Sequence, residues 1–181
     1  MTLHTEYLVD NIGLLHNGIE AIATMGSDLY AGRAGTPGVS PIGGHFRHVF
    51  DHYHAFLDGL PAGQVNYDAR ERDVRVEQDA SRATGVAEDL ARSIGTIAAD
   101  DLNSPIRVSA NQLVEGKSVT DWTGSTVQRE LMYLLSHTVH HYAIISLLAL
   151  QSGVKLDAEF GVAPSTLAYR RQRTACAPSA G

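Results

Sequence analysis

The stretch from Ser125 to Ser152, "STVQRELMYLLSHTVHHYAIISLLALQS", constrains the fold more than any other. It is too long for a strand, and as a helix it is apolar nearly all round. Such a helix has to be buried among other helices. Ser125 and Gln128 supply an S-x-x-Q start signal, and Gly153 supplies a stop. Yet this apolar segment carries His137, His140 and His141 within five positions.

Three further helices are predicted around it. Leu8, Ile12, Leu15, Ile19 and Ile22 recur at helical spacing and define a first helix over Thr5–Tyr30. Ser40 as N-cap and Pro41 at the first position open a second, which Pro61 ends. Ile42, Phe46, Val49, Tyr53, Phe56 and Leu60 form its apolar stripe. Gly43 and Gly44 in its first turn would let a neighbouring backbone or a ligand come close. Ala83, Val86, Ala87, Leu90, Ile94 and Ile97 mark a third helix from Asp79 to Ala99. The polar stretch "PAGQVNYDARERDVRVEQD" reads as an ordered connection. Ile106, Val108 and Val119 around a Glu115-Gly116 turn suggest a short hairpin before the last helix. Phe160, Val162 and Leu167 would pack back over the helices. The expected fold is an all-α four-helix bundle, with one domain over 1–170 and a flexible tail over 171–181.

A net charge of -6 argues against nucleic-acid binding, and "YRRQR" near the C-terminus reads as a solvated basic patch. No apolar run is long enough to span a bilayer, and no signal peptide is expected. The single cysteine, Cys176, cannot form an internal disulfide. A cytoplasmic protein with no role for that thiol in catalysis follows.

The functional signal is histidine. His137 and His141 are four apart, so they share one helix face, one turn apart. Helical histidine pairs that share a metal ion use this spacing. His140 points elsewhere. In "HFRHVFDHYH", His45, His48 and His52 occupy one sector of the second helix, and His54 faces the other way. Asp51 follows His48 by three. Burying several imidazoles is costly unless each is satisfied, and one divalent cation satisfies several. Neutral imidazole suits Zn, Ni, Fe(II), Cu or Co. Three histidines from two helices would leave coordination positions open.

The order of these features resembles the DinB/YfiT-like superfamily of metal-binding four-helix bundles. "HVFD" places His48 and Asp51 in its first motif, and "HTVHH" places His137 and His141 in its second. The resemblance implies a Zn or Ni site made by His48, His137 and His141, commonly in a homodimer. It implies no single reaction; the leading expectation is a metal-dependent enzyme of the thiol-dependent transferase or hydrolase type, acting on a small molecule such as a low-molecular-weight thiol. The alternative is a non-catalytic, stress-associated dimeric metal-binding bundle. His45 remains an alternative to His48 as ligand.

Asp51 and Glu130 are candidates to support the site; Glu130 lies two turns before His137 and could act as a base or orient a histidine. Tyr53, Tyr67, Tyr133 and Tyr142 could come near. Arg47, Arg70, Arg72 and Arg129 could clamp an anion. Ser136 lacks the surroundings of a nucleophile.

Overall fold

The computed structural model describes residues 5–32, 41–69, 71–114 and 117–175. Ser40, Arg70, the Glu115-Gly116 turn and Cys176 lie outside the described residues, as does the tail beyond 175. The described elements are α1 (Glu6–Tyr30), α2 (Ile42–Gly59), β1 (Gln64–Asn66), α3 (Val74–Gln78), α4 (Ala80–Ile94), β2 (Pro105–Val114), β3 (Lys117–Thr126), α5 (Val127–Gln151) and α6 (Pro164–Ala175). Leu60–Ala62 and Ala99–Asn103 form 3-10 turns.

The expectation of a pure all-α four-helix bundle is therefore corrected. Among the described residues, six helices accompany a three-stranded mixed sheet of order β1-β2-β3. β1 pairs with β2 in parallel, with Val65 opposite Val108. β2 and β3 are antiparallel over ten residues each, far more than a short hairpin. The polar connection after α2 holds β1 and α3, because Val65 and Val76 both enter the core. Asp73 caps α3 and Asp79 caps α4, each accepting from backbone N–H groups two or three residues on. Asp79 thereby ends one helix and starts the next. The third helix stops at Ile94 rather than Ala99.

α1, α2, α4 and α5 pack against one another around the core. The α1 stripe is Leu8, Leu15 and Ile22, flanked by buried Asn11 and Gly18. Gly26 interrupts the helix with φ 71°. Pro41 is the N-cap of α2, one position earlier than its expected place. Thr126, not Ser125, caps α5, because β3 runs through Ser125 before the helix starts. Gly153 closes α5 with φ 82°. Phe160 is buried and stacks on Tyr142, so the segment after α5 packs back at that residue, while Val162 and Leu167 are only half-buried. α6 runs from 164 through 175 across the expected domain limit at 170. Among the described residues, no helix is long and apolar enough to cross a membrane.

A buried polar chain links three helices. Thr138 Oγ1 donates to Tyr53 Oη (3.2 Å), Tyr53 Oη donates to Asn11 Oδ1 (2.7 Å), and Asn11 Nδ2 donates to the Leu131 and Tyr7 carbonyls. This network fixes the axial positions of α1, α2 and α5, since a shift of any one would leave buried polar groups unpaired. Tyr142 differs: its Oη is buried against Gly18 with no hydrogen-bond partner among the described residues. Its removal eliminates an unsatisfied group, so Tyr142→Phe is expected to leave stability unchanged or raise it by up to about 1 kcal/mol. A denaturant midpoint at unchanged m-value checks this.

Candidate metal centre

α2 and α5 run antiparallel and face each other with their histidines. His45 lies opposite His141, and His48 opposite His137. His48 Nε2 and His137 Nε2 are 3.2 Å apart. The His52 and His137 ring centroids are 4.0 Å apart. His48, His52 and His137 each offer one ligand nitrogen, and these nitrogens lie within 4.8 Å of one another. Among the described residues they form the group of three with metal-ligand geometry. His52 Nδ1 donates to the His48 carbonyl at 2.7 Å. That bond fixes its tautomer and leaves Nε2 as the lone-pair nitrogen, the arrangement typical of a metal-ligating histidine.

Of the expected set, His48, His137 and His141, two belong to this compact group. His48 and His137 are brought together. His141 lies beside both, with ring centroids 4.6 Å from each. Its Nδ1, however, lies 3.1 Å from His45 Nδ1. His52 completes the compact group; its shared sector with His45 and His48 is the signal that could have found it. His140 and His54 are exposed.

Burial pushes the His141 pKa down to about 4, aided by His45 and His140. Burial also lowers that of His45. Both are neutral at pH 7, as metal ligands must be. The unfolded chain, with ordinary histidines near 6.5, binds more protons than the fold between about pH 6.5 and 4. Stability of the metal-free protein is therefore expected to be full above pH 6.5 and to fall as pH drops towards 4. Melting temperatures in chelator across that range should show the slope, and His141→Gln should flatten it.

The supporting acids separate. Asp51 is paired with Arg47 (2.7 Å), which also pairs with Glu77. Arg47, Asp51 and His54 line a different cleft, of about 760 Å³. Arg47 therefore ties α2 to α3. Glu130 lines the same cleft as His52. It is buried and accepts from Tyr67 Oη (2.9 Å) and Ser125 Oγ (2.5 Å). Tyr67 stacks on His52 with centroids 5.4 Å apart, and Tyr133 stacks on His137 at 5.7 Å. Burial and the Glu130 carboxylate raise the Tyr67 pKa, so its phenol stays protonated and donates. These groups, with Ser109, Arg129 and Val108, line a cleft of about 410 Å³ that reaches His52. Tyr53 and Tyr142 are core residues, and Arg72 is exposed.

No family model matches the chain. It is similar to FK506-binding protein 5 of Rhizopus delemar, at 30% identity over 109 residues. That match covers 60% of this chain and 28% of the relative, so the chain spans under a third of that protein's length. The DinB/YfiT-like resemblance is corrected accordingly. It rested on three histidines and on a pure helical bundle. The sheet departs from that architecture, and the relative bears a different name. The thiol-dependent transferase or hydrolase that the resemblance implied falls with it, as does the dimeric DinB-type bundle offered as its alternative.

Proposed function

We propose that this chain is a domain that holds a divalent transition-metal ion at His48, His52 and His137, with the open side of the ion facing the Tyr67–Tyr133 cleft. The observation that carries this is the approach of three imidazole nitrogens from two helices to within 4.8 Å. The donor set fits Zn or Ni: three imidazoles, one of them with its second nitrogen already donating to a carbonyl. Three protein ligands leave coordination positions for water or a small molecule, as sites that act on ligands do. The cleft offers such a molecule aromatic walls and a few polar groups, the usual make-up of a small-molecule pocket. A cytoplasmic setting suits a chain with a single cysteine. Elemental analysis of protein purified without added chelator tests the reading. About one Zn or Ni per chain is expected; none, with no uptake on titration, would overturn it.

The relative's name gives a second reading, that the matched residues contribute to binding FK506. Calorimetric titration of this chain with FK506 tests that separately. Micromolar or tighter binding would support it; no heat at saturating ligand would end it.

A further inference from the structure

The metal reading uses three of the five histidines at the α2–α5 interface and leaves out His45 and His141, whose Nδ1 atoms lie at hydrogen-bond distance from each other. We propose that this second rung, His45 with His141, binds a second divalent cation. Two nitrogens bound to one ion at about 2.0–2.1 Å are about 2.9 Å apart at a right angle and about 3.3 Å apart at the tetrahedral angle. His45 Nδ1 and His141 Nδ1 are 3.1 Å apart, inside that interval, as are His48 Nε2 and His137 Nε2 at 3.2 Å.

The rungs come from equivalent places in the two helices. His45 precedes His48 by three residues on α2, and His141 follows His137 by four on α5. At 1.5 Å rise per residue, the rungs are about 5 Å apart along the helices. Paired catalytic cations are about 4 Å apart, so two ions so placed could share a bridging ligand after small adjustments. The second rung is half-buried, with exposed His140 beside it, its ring 5.2 Å from that of His141. Two protein nitrogens leave most positions on this ion to water or ligand. It is therefore the weaker and more exchangeable of the two.

The inference rests on the first site for its neighbour but can fail independently of it. The experiment titrates chelator-stripped protein with Zn(II) in a calorimeter, and with Cu(II) for electron paramagnetic resonance. Wild type is expected to take two ions per chain, one at least tenfold tighter. His45→Ala should take one and keep the tighter site. His52→Ala should lose the tighter one and keep the weaker. At two equivalents of Cu(II), wild type should show a dipolar-coupled pair, and His45→Ala an uncoupled centre. One ion in wild type, with His45→Ala unchanged in stoichiometry and affinity, overturns the second site and leaves the first intact. No ion at all overturns both. Far-UV circular dichroism of each variant confirms that it is folded.

Discussion

His48→Ala and His137→Ala are each expected to weaken divalent-metal binding by at least about 100-fold, measured by competition with a chromogenic chelator at pH 7.5. These two nitrogens lie 3.2 Å apart in the compact group, so removing either leaves at most two of its three ligands. Loss of an outer-sphere partner alone costs 10- to 100-fold at such sites, and a direct ligand costs more. His54→Ala should leave affinity unchanged, because His54 is exposed and lines the other cleft. The informative comparison is His52→Ala against His141→Ala. The compact group contains His52, so His52→Ala should match the His48 variant, while the tight site of His141→Ala stays within about tenfold of wild type. Equal, full losses in His54→Ala would show the binding to be non-specific. If His141→Ala is the damaging change and His52→Ala the mild one, the third ligand is the one the helical pair indicated.

That comparison also marks where sequence reading stops. Helical spacing places His45, His48 and His52 in one sector of α2, and His137 and His141 on one face of α5, and the structure keeps both groupings. Which histidine of one helix meets which of the other depends on the axial offset between the helices. Periodicity within either helix carries no information on that offset. It is set by contacts such as the Thr138–Tyr53–Asn11 chain, whose partners are 42 and 85 residues apart in sequence. Asn11 and Thr138 look like ordinary polar interruptions of apolar faces until their partners are known. The sheet was hidden for a similar reason. β1 is three residues long and pairs in parallel with a strand some forty residues later. β2 alternates only over Ile106 and Val108 before turning polar, so the period-2 signal is brief. The family resemblance failed on different grounds. A few histidines at helical spacing answer a chemical need, and unrelated folds meet that need in the same way.

Gly43 and Gly44, adjacent and alike in sequence, are expected to respond to alanine in opposite directions. α2 begins at Ile42 under α3, and a Cβ at Gly43 would run into the backbone carbonyl of Glu77. That obstacle is backbone, so a rotamer change cannot relieve it. α3 is also held by the Arg47–Glu77 ion pair and by buried Val76 and the Tyr30 hydroxyl, which donates to the Val76 carbonyl at 2.7 Å. Gly43→Ala must push the helices apart, which should cost about 1–3 kcal/mol, the range for overpacking a fitted interface. A Cβ at Gly44 meets nothing closer than 3.8 Å. There alanine only removes freedom from the unfolded chain and improves helix propensity, so Gly44→Ala should stabilise by about 0.5–1 kcal/mol. Urea unfolding of the two variants in chelator separates these effects from metal binding. The consequence reaches the histidines. Gly43 is two residues before His45, so moving the start of α2 disturbs the His45–His141 rung before the His52 end of the helix. Gly43→Ala should therefore weaken the second cation more than the first, and similar losses at the two sites would mean that α2 shifts as a rigid rod.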